Sequence, residues 1–152
     1  MQDDKRDLQE RTKQFALSVI RTFSIIPKTT EAHILGKQLL RSSTSVGANY
    51  REAYRGSSKA EFISKCGDSL RELEETAYWL ELLVDGRIVP AEMLAALREE
   101  CDELLAIFVT ILKRSKDTSN SYFFLLTYFI FFHTTSSLFL LSISASTLPV
   151  AA

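Results

Sequence analysis

Two runs of apolar residues, each stepping alternately by three and four, limit what this chain can fold into. Ile63, Cys66, Leu70, Leu73, Ala77, Leu80 and Val84 make the first, and Leu94, Leu97, Cys101, Leu104, Phe108 and Ile111 the second. That spacing keeps one edge of an α-helix turned toward a neighbour, as in the seam of a coiled coil or helix bundle. A half-buried strand would instead alternate every second residue. Upstream, Leu8, Phe15, Val19, Phe23 and Ile26 form a third stripe, with Ala16 and Ile20 beside it.

Local punctuation divides the chain into four helices. The first is expected from about Asp4 to Ile26 and is stopped by Pro27, because proline disfavours helical geometry in the residue before it. Thr30 suits an N-cap, with Glu31 at the positive end of the helix dipole, and the second helix then runs to about Arg55. Gly56-Ser57 breaks it, and Ser58-Lys59-Ala60-Glu61 reads as the capping box of a third helix. Asp85-Gly86 ends the third, with the glycine expected as a left-handed cap, and Pro90 falls in the first turn of the fourth. Short connections make neighbours antiparallel, so the expected fold is all-α, an up-down-up-down four-helix bundle over residues 1–117.

The stretch from Leu39 to Ala53, LLRSSTSVGANYREA, is unusual for such a helix. At 100° per residue its inner side carries Leu35, Leu39, Ser42, Val46, Asn49, Tyr50 and Ala53. Ser42 and Asn49 are modest helix formers and Gly47 beside them is a poor one, so a neighbour is expected to approach closely or to hydrogen-bond there. Two readings stay open: a satisfied polar spot in the core, or a device that fixes register between helices or subunits. The opposite side gathers Lys37, Arg41, Arg51 and Arg55, with Lys59 in line, and only Thr44 and Ala48 share its centre.

Charge is near balance overall but unevenly spread. Lys28 to Lys65 holds seven Lys/Arg against three Glu, whereas Asp68 to Glu103 holds eleven acids against three Arg. The halves should attract one another and leave one basic and one acidic surface. The two cysteines, Cys66 and Cys101, occupy apolar positions, consistent with buried thiols in a reducing, cytoplasmic setting. No apolar leader follows the N-terminal MQDDKRD. His33 and His133 lie at no metal-ligand spacing, Ser42, Ser43 and Ser45 lack a partnering His and acid, and the glycines are isolated. Asp68, Glu72 and Glu75, like Glu99 and Glu103, read as solvated faces. The chain is therefore expected to be no enzyme and to need no cofactor or metal. Trp79 and Leu82 lie off the third helix's seam, and Ala106 to Leu112, around Phe108, is apolar on nearly every side, which points to a subunit interface.

After Asp117 the composition changes, with no charged residue in the last 35 positions. Tyr122 to Ser142 gives 21 uncharged residues behind Lys113, Arg114 and Lys116, a membrane-span pattern, though His133 to Ser137 sits mid-span. Phe, Leu, Ser and Pro, whose codons can all be pyrimidine-only, supply 20 of these 35 residues, so the 118–152 tail also reads as an incidental frame-slip product.

Several of these residues carry a family resemblance. Glu10-Arg11-Thr12 with Phe15-Ala16, the Leu39 to Ala53 stretch, Ala60 to Lys65, Glu74-Glu75-Thr76 and Tyr78 to Leu83 resemble the four-helix-bundle protein family, also called the 23S rRNA intervening-sequence protein family. The likeness covers about Leu8 to Lys116, and the tail departs from it. It implies a small bacterial cytosolic bundle with members that form ring-like homopentamers. Some relatives are encoded inside inserts of ribosomal RNA genes. Others are accessory proteins of diversity-generating retroelements that bind nucleic acid and a reverse transcriptase through basic surface. Arg41, Arg51 and Arg55 fall within or beside the matching motif.

The expectation is thus a homo-oligomeric bundle binding RNA or DNA through Lys37, Arg41, Arg51, Arg55 and Lys59. Ser42, Asn49, Trp79, Leu82 and Phe108 would serve structure or interfaces. The alternatives are a protein-interaction scaffold without nucleic acid and a bundle anchored to a membrane by its tail.

Overall fold

Every break between helices falls at a proline, a glycine or a capping hydroxyl. In the computed structural model the backbone is described for residues 2–116 and the side chains for residues 7–116. Helix α1 spans Gln2–Ile25, α2 Thr30–Ala53 and α3 Lys59–Asp85. A fourth helix, α4, occupies residues 91–116 of the described chain, and no strand occurs among the described residues. By internal contacts Met1–Lys113 forms one unit and Arg114–Ala152 another, most of which lies outside the described residues.

The caps follow the sequence closely, with shifts of one residue. Thr29, not Thr30, is the N-cap of α2, its hydroxyl accepting from the Ala32 amide at 3.3 Å. Ser58 caps α3 by accepting from the Glu61 amide at 3.1 Å, and Glu61 reaches back to the Ser57 amide at 2.9 Å, one residue beyond the usual box. Pro90 precedes α4 rather than lying in its first turn, and its carbonyl accepts from Met93. Gly86 closes α3 in right-handed geometry (φ −71°), and the left-handed residue is Arg87, at φ 54°. The Val84, Leu83 and Leu82 carbonyls take the amides of Gly86, Arg87, Ile88 and Val89, so the turn satisfies α3's last acceptors without a left-handed glycine.

Contacts fix the topology. Gln9 and Thr12 of α1 meet Arg51 and Gly47 of α2, while Phe23 meets Gly36, so numbering runs oppositely in the two helices. Ser42, Val46 and Glu52 of α2 meet Thr76, Ser69 and Lys65 of α3 in the same opposed sense. Cys101 of α4 donates to the Leu73 carbonyl, and Arg11 of α1 grips Glu100 of α4, which closes the ring of helices. The result is an up-down-up-down four-helix bundle with α2 and α4 on one diagonal.

The core holds Phe15, Val19, Leu39, Val46, Tyr50, Leu73, Leu80, Leu94, Leu104 and Phe108, and Tyr50 meets Phe108 edge to face at 5.3 Å across the diagonal. The seam of α3 differs from the apolar repeat in the sequence. Cys66, Leu73 and Leu80 are buried as expected, but they alternate with Ser69, Thr76 and Leu83, whereas Ile63, Leu70, Ala77 and Val84 are only half-buried. Hydroxyl bonding explains the rotation. Ser69 donates to the Val46 carbonyl across the interface at 3.1 Å, and Thr76 Oγ1 lies 2.8 Å from Ser42 Oγ and 2.7 Å from the Glu72 carbonyl. Each buried hydroxyl therefore has a partner, and being small it lets α2 and α3 approach.

The α1 side of α2 is equally tight. A Cβ on Gly36 would stand 2.6 Å from Ile26 Cδ1, and one on Gly47 3.3 Å from Thr12 Oγ1. Thr12, buried and unremarked in the sequence pattern, donates to its own helix at the Leu8 carbonyl, 2.9 Å away.

The Ser42–Thr76 pair makes this seam testable. In urea unfolding of Ser42→Ala, Thr76→Val and the double variant, each single change is expected to cost about 0.5–1.5 kcal/mol, the net worth of one hydrogen bond, because Thr76 keeps the Glu72 carbonyl and Ser42 the Leu39 carbonyl. The double change should cost less than the sum, and strict additivity would show that the two hydroxyls do not act together.

Candidate nucleic-acid interface

Helix α2 turns one face to solvent because its inner side is filled by α1 and α3. Lys37, Thr44, Ala48 and Arg55 lie along that face, all exposed, and Lys59 follows at the start of α3. Lys37, Arg55 and Lys59 have no carboxylate within ion-pair distance among the described residues.

Two of the arginines are engaged. Arg41 leans toward α3, pairing with Glu75 and, at 3.5 Å, with Glu72, while its Nε donates to Gln38 at 3.3 Å. The acids absent from the centre of the stripe are thus supplied by α3, and the stripe is not free of acid at this point. Arg51 leans the other way. Its guanidinium donates to the Gly47 carbonyl at 2.9 Å and to the Gln9 carbonyl of α1 at 3.0 Å. It ties α1 to α2 and makes no ion pair within 4.0 Å among the described residues, while Glu10 stands close enough to feel its charge.

Burial holds the Glu72 carboxyl above its ordinary range, with neighbouring Glu75 and Asp68 adding to that and Arg41 and Arg71 opposing it. Lys65 is pushed up by its bond to Glu52 at 2.6 Å, so those two charges cancel near the α2 C-terminus. Across the bundle, Arg11 holds Glu100 through two bonds of 2.7 and 2.9 Å and also reaches Glu103, and these bonds push its own pKa up. On the far diagonal α4 turns Glu92, Glu99 and Asp102 to solvent. The exposed acids of α4 are thus gathered on its first half, with Arg98 among them and exposed Lys113 and Lys116 beyond.

The residues expected to serve structure or interfaces fall in different places. Ser42 is buried in the hydroxyl seam, and Phe108 is wholly inside against Tyr50. Asn49 is half-buried rather than in the core, and its amide makes no hydrogen bond among the described residues. Leu82 and Trp79 are half-buried off the α3 seam, and Trp79 Nε1 is shielded from water with no acceptor. The sequence pattern missed Glu72 and Glu75 as partners of Arg41. The opposed charge of the two chain halves was the signal that could have found them.

Among the described residues no three His, Cys, Asp or Glu side chains stand together in a way that could hold a metal ion, and no helix is long and apolar enough to cross a membrane. The membrane-span pattern at Tyr122 to Ser142 and the frame-slip reading both concern residues outside the described part.

Fold and surface define a small antiparallel bundle with one basic helix face. The chain belongs to the 23S rRNA-intervening sequence protein family, whose family model matches residues 5–110. Among solved structures it is similar to a protein with unknown function from the S23 ribosomal protein family of Bacteroides thetaiotaomicron VPI-5482. That likeness has 32% identity and a TM-score of 0.65, covering 69% of this chain and 97% of the other. No curated protein matches the chain.

The two thiols give a pH test of the bundle. Burial pushes Cys66 and Cys101 from an ordinary value of 9.0 up to about 12. A raised thiol pKa favours the fold while the unfolded chain's thiols are still neutral. This contribution is complete below pH 9 and is lost as pH rises toward 12. Denaturant midpoints measured across that range should fall less steeply in Cys66→Ala/Cys101→Ala than in the parent.

Proposed function

We propose that the protein is a non-enzymatic, self-associating helical bundle of the cytoplasm that binds RNA or DNA through the solvent side of α2. The observation that carries this reading is that Arg55 and Lys59 are exposed and have no carboxylate within ion-pair distance among the described residues, although Glu52 and Glu61 are close in the chain. Arg41 contributes little, since Glu72 and Glu75 offset it. Lys37 stands 18 residues before Arg55, roughly 27 Å away at 1.5 Å per helical residue. The phosphate contacts are therefore assigned to the C-terminal half of the face. Glu92, Glu99 and Asp102 on the first half of α4 oppose the approach of a polyanion there, with exposed Arg98 among them.

Affinity from so few contacts is modest in one copy, and several copies on one strand would gain by avidity. That is why self-association belongs to the same reading. Family membership is compatible with it, as the family description names a 23S rRNA intervening sequence.

A second reading, a protein-docking scaffold, is favoured by the apolar surface of α3 around Tyr78, which is 52% exposed.

Filter binding of duplex DNA and of RNA against salt concentration separates the two. Arg55→Ala/Lys59→Ala is expected to flatten the log–log salt slope by about 0.9 per lost duplex phosphate contact, close to two in all. Arg41→Ala should leave the slope nearly unchanged. If the double variant binds with the parent's affinity and slope, the nucleic-acid reading falls.

A further inference from the structure

The apolar surface of α3 has a shape and a charge pattern that suit another copy of the same chain. Tyr78 and Leu82 are one helical turn apart on its outer side, and Trp79 packs against Tyr78 with ring centroids 5.1 Å apart. Ile34 of α2 is 56% exposed and Tyr78 is 52% exposed, large values for such side chains. The indole N–H of Trp79 is shut off from water with nothing to donate to. Exposed Glu74, Glu81 and Asp85 border this surface on α3, whereas the N-terminal half of α2 carries exposed Lys37, with exposed Glu31 at its start. The basic edge and the acidic edge thus belong to neighbouring helices of one molecule.

Register decides how two such surfaces can meet. Ser42 stands level with Thr76 and Val46 with Ser69, and antiparallel helices rise at equal rates. Ile34 is therefore level with positions 81–84 and Lys37 with positions 78–81. A rotation axis parallel to the bundle axis moves no residue along that axis. It can bring α2 of one copy beside α3 of the next, antiparallel and at the same level. Ile34 then faces Leu82, and Lys37 faces Tyr78 and Glu81, apolar against apolar and plus against minus. An axis perpendicular to the helices would instead set α2 against α2 and like charges against each other.

We infer that the N-terminal half of α2 in one copy packs against the Tyr78–Leu82 surface of α3 in a second copy, with Lys37 opposite Glu81. This rests on the proposed self-association and names its surface. The geometry holds for any number of subunits around the axis, because only the level of contact is fixed. Opposite charge at the rim and apolar side chains at the centre are the usual division of labour in an interface.

Mass by sedimentation equilibrium of the full chain tests both statements separately, with circular dichroism confirming that each variant is helical. The parent is expected to be larger than a monomer, Lys37→Glu and Glu81→Lys each to shift the mass toward monomer, and the double variant K37E/E81K to restore it. Tyr78→Glu/Leu82→Glu should be monomeric at every concentration reached. A monomeric parent overturns the self-association itself. An assembled parent whose four variants all assemble as well overturns this contact and leaves self-association standing. Single variants that dissociate without rescue in the charge swap overturn the pairing of Lys37 with Glu81.

Discussion

The close seating of α2 between α1 and α3 is the constraint on which the other features depend. It exists because α2 is built from Gly36, Ser42, Ser43, Val46 and Gly47 where a bundle helix would ordinarily carry leucines. Small side chains bring backbones together but bury little apolar area, so the seam must hold by another means. Here the hydroxyls of Ser42, Ser69 and Thr76 bond across or along the interface, and each is worth about 1 kcal/mol net when made and more when stranded. The larger side chains, among them Tyr50, Phe15 and Phe108, then fill the rest of the interior around α2. Arg51 can reach the Gln9 carbonyl because α1 lies close enough there for a Cβ on Gly47 to crowd Thr12.

Helix number, order and most boundaries were legible in the sequence, since proline, glycine and capping hydroxyls act locally. The exact rotation of α3 was not. Apolar periodicity placed Leu70, Ala77 and Val84 inward, yet Ser69, Thr76 and Leu83 occupy those places. Serine and threonine do not register as core residues in a hydrophobic pattern, and only the partner helix shows that their hydroxyls are satisfied. The α2 stripe failed in the same way at one position. No acid falls at its centre, but Arg41 meets Glu72 and Glu75 from thirty-odd residues away, a pairing that no single-helix projection contains. Lys37, Arg55 and Lys59 were legible because nothing from another element reaches them among the described residues.

Electrostatics sorts these cations by use. An exposed ion pair such as Arg41 with Glu75 contributes no more than about 1 kcal/mol to stability, but it removes a positive charge from the field that a phosphate would feel. Arg51 is used differently: it bonds two neutral carbonyls and ties two helices, with only the more distant Glu10 carboxylate opposing its charge. The basic character of the surface is therefore concentrated at the end of the bundle where α2 finishes and α3 begins.

That concentration connects the two proposals. A rotation axis parallel to the bundle keeps every copy's Arg55 and Lys59 at the same level, so the cations of all subunits collect around one end of the assembly. A nucleic acid laid across that end would meet two or three charges from each copy in turn, and the later contacts would form at high effective concentration. The Lys37 end, about five helical turns from Arg55, would carry the proposed subunit contact and need not be bare. One helix can thus serve both roles because its length keeps them apart, and because its inner side is narrow enough to leave a whole face outside.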